Sequence, residues 1–148
     1  EVSRGVGSAD EGVANSDGDP VQAVLGLTDG EGADVVFETV GGTASTLSQA
    51  VGMARRGGIV SVLGVFSGPQ EVDAVTGYRK ELRIQWSNSY SSWHGVPEYK
   101  TALELLTAGR VDPSGFITHH YPIEQISEAF AAADNKRKSG AIKVIVNP

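Results

Sequence analysis

The sequence contains no cysteine, which excludes disulfide bonds and any zinc site built from thiolates of this chain. Long apolar runs are absent too. The longest uncharged stretches, residues 39–54 and 57–70, are broken by Gly, Ser and Thr and fall short of the roughly 20 apolar residues that a membrane-spanning helix needs. No apolar segment typical of a signal peptide stands at the start. These absences favour a cytoplasmic protein without a membrane partner.

Positive charge is also scarce, because 12 Lys and Arg stand against 18 Asp and Glu and leave a net charge of −6. A nucleic-acid surface needs clustered basic side chains, so no nucleic-acid partner is expected. The basic run at residues 136–138 suits the C-terminal end of a helix, where the helix dipole favours positive charge.

The 19 glycines mostly separate segments with a regular pattern. Residues 33–40 form a short β-branched and aromatic run, which predicts a strand. Residues 59–66 are almost continuously apolar, as is typical of a parallel strand covered on both faces. Residues 82–87 alternate in polarity and predict a half-exposed strand at the edge of a sheet.

Helical patterns lie before and between these strands. Asp19 followed by Pro20 predicts a helix start, with an N-cap and then proline at the first helical position. The second helix has one buried stripe, formed by Leu47, Ala50, Val51 and Ala54. The charged and glycine-containing segment 55–58 is expected to end that helix.

The second half of the chain has a different pattern. It predicts a helix from Pro97 to Gly109, an extended connector at residues 117–122, a helix with Ile126, Ala129, Phe130 and Ala133 on one face, and a final strand at residues 141–146. The alternation of strands and helices predicts an α/β fold with a doubly wound parallel sheet. We expect one domain over residues 1–89 and a C-terminal part over residues 90–148.

Several segments resemble the cofactor-binding domain of medium-chain alcohol dehydrogenases. Residues 32–42 resemble its fourth strand and the turn that follows, residues 56–64 its fifth strand, and residues 80–87 its sixth. Further matches, in the family's order, lie at residues 105–111, 117–119, 122–130 and 139–146. The ordered set identifies the chain as similar to the C-terminal portion of this family. The Ile-Thr-His segment at 117–119 favours the zinc-containing branch over the zinc-free quinone reductases.

The resemblance implies an incomplete Rossmann-type doubly wound parallel sheet, in which strands one and two are missing, followed by a C-terminal helical tail and a final strand. In the family's strand order the loss of those strands leaves the inner edge of strand 34–39 unpaired. An exposed apolar edge promotes association. A homo-oligomer is therefore expected, formed through this edge or through strand 82–87, where the family often extends its sheet.

Ligands of such sheets bind across the carboxyl ends of the strands. The cofactor-binding positions implied by the resemblance are Thr39, Val40, Gly41, Leu63, Gly64, Val65, Ser87, Ser89 and Lys143. The backbone of Leu63, Ser87 and Ser89 would orient the nicotinamide carboxamide, and Lys143 would reach the pyrophosphate. The plainer alternatives stay open, because strand-end glycines and serines and a solvated lysine occur without any ligand.

No residue of the chain is predicted to be catalytic or to bind metal. His119 and His120 are adjacent in an extended segment and point to opposite faces, and His94 completes no ligand set. Glu38 is expected to make a structural hydrogen bond. The Gly-x-Gly segment at residues 5–10 predicts a helix end rather than a phosphate-binding loop.

The resemblance implies a parent enzyme that transfers hydride between an alcohol or polyol, its small-molecule substrate, and NAD or NADP. Zinc would act as a Lewis acid there, held by residues that this chain lacks. The chain alone is expected to be inactive and to bind no cofactor, or to bind dinucleotide only weakly. Three alternatives remain: a non-enzymatic oligomerising Rossmann-like module, a fragment of a zinc-free quinone reductase, and a methyltransferase.

Overall fold

A computed structural model describes residues 9–13, 18–88 and 90–148 of the chain. The chain divides into two compact units, one covering Val13–Ser92 and the other including Trp93–Pro148. The predicted boundary between residues 1–89 and 90–148 stays a prediction. No helix in the described ranges is long and apolar enough to cross a membrane.

The first unit alternates helices and strands. Its elements are α1 (Pro20–Leu27), β1 (Ala33–Glu38), α2 (Thr46–Met53), β2 (Ala54–Val62), α3 (Ala74–Lys80) and β3 (Arg83–Trp86). The three strands form a parallel sheet in the order β1-β2-β3. This arrangement confirms the predicted α/β class.

The predicted N-cap of α1 and the predicted buried stripe are both present in the structure. Asp19 accepts a hydrogen bond from the Val21 N–H at 2.9 Å, with proline next to it at the start of α1, so the cap satisfies a donor that the first helical turn leaves unpaired. The predicted stripe is buried at all four positions, but only Leu47, Ala50 and Val51 lie on α2, and Ala54 is the first residue of β2. Leu47, Ala50 and Ala54 pack with Val60 and Val62 of β2 to form the core of this unit.

The predicted end of α2 at residues 55–58 is wrong. The helix ends at Met53 and β2 begins at the next residue. Residues 55–58 lie within β2 as an irregularity in its pairing with β1, and Gly57 has a φ of 70° there, which glycine adopts without strain. Strand β2 also ends at Val62 rather than at Phe66.

Lys80, at the end of α3, caps the C-terminal end of α2, a role that the sequence pattern assigns to residues 55–58. Its Nζ donates to the carbonyl oxygens of Gly52 and Ala54 at 2.7 and 2.8 Å, and to that of Val51 at 3.4 Å. The last carbonyls of a helix have no partner within it, so the ammonium group satisfies them and complements the helix dipole.

The sheet of the first unit is covered unequally. Val36 and Val60 are paired in the sheet and share the face that packs on α2. Val35 and Phe37 belong to the opposite face, where they are 41% and 66% exposed. Within the described residues β1 and β3 are the two edges of this sheet, and all four residues of β3 are exposed rather than half of them.

The rest of the chain contains further strands and helices. They are the paired strands β4 (Ser92–Trp93) and β5 (Val96–Pro97), α4 (Glu98–Thr107), β6 (Ile117–Pro122), a 3-10 turn (Ile123–Gln125), α5 (Ile126–Asp134), α6 (Lys136–Ser139) and β7 (Lys143–Asn147). The predicted connector at residues 117–122 is therefore a strand, and it pairs in parallel with β7. Phe130, predicted to face the core from α5, is 71% exposed, while Ala129 and Ala132 are buried.

Candidate functional site

A pocket of about 330 Å³ lies at the carboxyl ends of β2 and β3. The residues that line it are Val62, Leu63, Gly64, Val65, Phe66, Trp86, Ser87 and Asn88. Four of the nine predicted cofactor-binding residues thus meet in one place: Leu63, Gly64, Val65 and Ser87. The sequence-based prediction missed Trp86 and Asn88, although both flank Ser87 at the end of an expected strand.

Two turns lie at the carboxyl ends of β1 and β2. The first turn (residues 39–42) follows β1, and the second turn (residues 63–66) follows β2. Thr39 and Val40 line a smaller pocket of about 140 Å³ beside α2. The Gly42 N–H donates to the Val65 carbonyl at 2.8 Å. The turns are therefore hydrogen-bonded to each other beyond the last residues of the strands.

Glycine is required where the two turns approach most closely. Gly41 has a φ of 62°, and a Cβ built there would lie 2.5 Å from the nitrogen of Val65. A Cβ on Gly64 would lie 2.5 Å from the nitrogen of Gly41. No side chain fits at either position without displacing backbone atoms. Where the two turns meet, their surface therefore consists of main-chain atoms.

Glu38, the last residue of β1, is 3% exposed. Its Oε1 accepts from Val40 N–H at 2.9 Å, Gly41 N–H at 3.0 Å and Thr46 Oγ1 at 2.7 Å, which confirms its predicted structural hydrogen bonding. Burial acts to raise the pKa of Glu38, but hydrogen bonds from Gly41, Thr46 and Val40 prevail and lower the pKa from its ordinary value of 4.5. The group is therefore a carboxylate at neutral pH.

The backbone N–H groups of Leu63 and Ser87 already have hydrogen-bond partners within the chain. Leu63 N–H donates to the Glu38 carbonyl at 2.8 Å, and Ser87 N–H donates to the Val62 carbonyl at 2.9 Å. The groups that Leu63 and Ser87 can present to a ligand are therefore their carbonyl oxygens, which accept hydrogen bonds from an amide.

Lys143 is not among the residues that line this pocket. Lys143 is an exposed residue of β7, in the unit that includes Trp93–Pro148, and its carbonyl accepts from Thr118 Oγ1 at 3.3 Å. Ser89 lies outside the described residues, as does most of the Gly-x-Gly segment at residues 5–10.

Metal-binding side chains are not clustered in the part of the chain that the structure describes. Burial alternates along β6, so His119 and His120 face opposite sides, as predicted. The His119 ring stacks on that of Tyr121, with centroids 6.3 Å apart. Across the described ranges, no group of three His, Cys, Asp or Glu side chains is arranged to hold a metal ion, so zinc does not fit the residues present there.

Comparisons with known proteins agree with this arrangement. The family model for zinc-binding dehydrogenases matches residues 2–108. The (R,R)-butanediol dehydrogenase of Neisseria gonorrhoeae is 32% identical over 151 aligned residues, which cover 100% of this chain and 40% of that protein. The structure of the alcohol dehydrogenase TADH from Thermus sp. ATN1 matches with a TM-score of 0.80 and 29% identity, covering 99% of this chain and 41% of that one.

An alcohol dehydrogenase from E. coli CFT073, solved with NADH, has the same fold, with a TM-score of 0.78 at 22% identity over 99% of this chain and 41% of its own. The chain spans about two fifths of the length of these relatives. The matched region is the C-terminal portion of medium-chain alcohol dehydrogenases, as the sequence pattern predicts. The chain belongs to the zinc-binding dehydrogenase family.

Proposed function

We propose that this chain forms the nicotinamide side of the cofactor site in an NAD(P)-dependent, zinc-type alcohol or polyol dehydrogenase. The observation that carries the proposal is the pocket at the ends of β2 and β3, which unites Leu63, Gly64, Val65 and Ser87. Such strand ends are where doubly wound sheets bind dinucleotides. The NADH found in the E. coli CFT073 neighbour supports the choice of ligand.

Each group in the pocket has a task that its chemistry suits. The carbonyl oxygens of Leu63 and Ser87 accept hydrogen bonds from the amide nitrogen of the nicotinamide carboxamide. Gly41 and Gly64 leave the backbone bare, so a flat ring can approach it closely. Thr39 and Val40 border the ribose. The assignment of Lys143 to the pyrophosphate stays a prediction.

Hydride transfer also requires polarisation of the alcohol oxygen, which zinc supplies when bound. Because no described residue cluster fits zinc, the chain orients the nicotinamide and leaves the substrate oxygen to other residues. We therefore expect the 148-residue chain alone to lack dehydrogenase activity and to bind NAD or NADP only weakly.

Ligand titration followed by NMR tests the cofactor assignment. Millimolar NADH is expected to shift the amide signals of Leu63, Gly64 and Ser87, while signals of α4 serve as the control. Micromolar affinity would contradict the expected weakness of the isolated chain. Shifts scattered over the surface, or none at millimolar NADH, would favour a non-enzymatic oligomerising module.

A fusion protein tests the reaction class. Placing the N-terminal part of the Neisseria gonorrhoeae (R,R)-butanediol dehydrogenase before this chain should give alcohol-dependent NAD(P)H formation that a zinc chelator abolishes. Quinone-dependent NADPH oxidation insensitive to the chelator would favour the alternative of a zinc-free quinone reductase.

We propose that the chain associates with further copies of itself. The substrate that we propose for the whole enzyme is a small alcohol. Strand β1 is a sheet edge whose Val35 and Phe37 are exposed, and unpaired apolar edges recruit further strands. β3 is the second edge open to extension. Light scattering is expected to show a homodimer or larger assembly; Phe37→Lys should reduce it if β1 is the interface, and Gln85→Lys if β3 is. A monodisperse monomer would refute this expectation.

A further inference from the structure

Glu38 binds both turns of the candidate site, and no step of the proposed reaction uses it. Its Oε1 holds the first turn through the N–H groups of Val40 and Gly41, at 2.9 and 3.0 Å. Its main-chain carbonyl holds the second turn through the N–H groups of Leu63 and Gly64, at 2.8 and 3.0 Å. A single residue therefore connects both turns to the end of β1.

The surroundings of the Glu38 side chain are matched to a carboxylate. Oε1 accepts from three donors, and Oε2 is buried without a hydrogen-bond partner among the described residues. A Cβ on Gly64 would overlap Oε2, so only glycine leaves space for it. A glutamine would bring two N–H donors into a place lined by donors.

The Glu38 carboxylate is held by hydrogen bonds rather than by a counter-ion. Arg55–Asp34, Arg56–Glu81 and Lys100–Glu104 are ion pairs among the described residues, and none of them neutralises Glu38. A buried charge without a counter-ion is costly unless hydrogen bonds satisfy it, and the three donors to Oε1 provide them. What the carboxylate provides is the fixed geometry of the backbone at the pocket.

We propose that Glu38 is a positioning residue that locks the first and second turns together, so that a nicotinamide meets a preformed backbone surface. Preorganised groups hold a ligand without the cost of ordering them on binding. The inference rests on the proposed function for the identity of the ligand, whereas the locking itself is a property of this chain.

Amide hydrogen exchange of the whole chain, read by NMR, tests the locking. Glu38→Gln is expected to accelerate exchange about tenfold or more at Val40 and Gly41, whose N–H groups lose their hydrogen bonds to the charged carboxylate. Leu63 and Gly64 keep their hydrogen bonds to the main-chain carbonyl of residue 38 and should be accelerated less. The amide of Asn135, which donates to the Ala131 carbonyl at the end of α5, belongs to the other unit and should keep its rate.

Two substitutions at Thr46 provide a matched pair that keeps the carboxylate. Thr46→Val removes one donor to Oε1 and should accelerate exchange at Val40 and Gly41. Thr46→Ser keeps the hydroxyl and should restore the slow rates. This pair carries the test if Glu38→Gln does not fold.

The pH profile separates locking from ordinary stability. Protection of Val40 and Gly41 in the wild-type chain should fall as pH drops through the pKa of Glu38, below 4.5, while the protection of Asn135 should not follow that pKa. Unchanged exchange at Val40 and Gly41 in Glu38→Gln and Thr46→Val would overturn the inference, as would equal acceleration at Asn135. If millimolar NADH fails to shift the amides of the second turn, the proposed function fails while the exchange result stands.

Discussion

Replacing Lys80 by methionine tests how α2 is terminated. Methionine keeps a long flexible stem and removes the ammonium group, whose Nζ makes two short hydrogen bonds at 2.7 and 2.8 Å to helix-end carbonyls. A hydrogen bond to a charged group contributes about 1.5–3 kcal/mol, and a cation at a helix C-terminus about 0.3–1 kcal/mol. Because Lys80 is only partly buried, solvent screens part of this sum.

We expect Lys80→Met to lower the free energy of unfolding by about 2 kcal/mol. This value is below the sum of the two hydrogen bonds because solvent screens the ammonium group. Urea denaturation followed by far-UV circular dichroism measures the change, and the m-value should not alter. Lys138→Met, at an exposed lysine of α6, is the matched control and should change stability by less than about 0.5 kcal/mol. Equal effects of the two substitutions would refute the assignment of Lys80 as the cap of α2.

Three further outcomes are expected. Leu47→Ala, at a position 1% exposed, should cost about 2–5 kcal/mol in urea denaturation, and Leu103→Ala, 62% exposed, well under 1 kcal/mol; comparable losses would contradict the core. The stability advantage of the wild-type chain over Glu38→Gln should be full above pH 4.5 and shrink as pH falls through the lowered folded-state pKa; a constant difference between the two would refute it. Gly64→Ala should destabilise by about 1–3 kcal/mol through overpacking, whereas Gly68→Ala, whose new methyl group meets nothing within 4 Å, should not; equal melting temperatures for both variants would count against the close packing of the two turns.

The sequence was most informative where one element specifies itself. The buried positions Leu47, Ala50 and Val51 of α2 follow from spacing alone, because they return to one side of a helix whatever lies opposite. The N-cap at Asp19 is likewise a local signal. The site residues of β2 and β3 followed from strand ends, because parallel strands finish at the same edge of a sheet.

Elements that depend on distant partners were missed. Residues 117–122 contain two histidines and end in proline, a weak strand pattern, and they become β6 only by pairing with β7 far along the chain. The end of α2 was misassigned because its cap comes from Lys80, on another helix. The helix α3 was overlooked despite a local signal, since Asp73 accepts from the Val75 and Thr76 N–H groups as an N-cap.

The role of Glu38 in the site could not be read from spacing. A glutamate at the end of an apolar strand predicts a structural hydrogen bond, yet the chain gives no sign that its carbonyl would also bind the second turn. Which residue lies next to Oε2 also depends on the tertiary structure and not on the local sequence. Gly64 is conspicuous in the sequence only as a strand-end glycine.

The absence of any linker between α2 and β2 makes this part of the protein a closed ring. The ring runs from Glu38 through the side-chain bond to Thr46, along α2, directly into β2, and back through Leu63 N–H to the Glu38 carbonyl. A ring without a flexible joint cannot fray from one end, so it should open as a cooperative unit. Glu38 closes that ring through its side chain and its carbonyl group. A ligand bound to the turns would stabilise the closed ring without contacting α2.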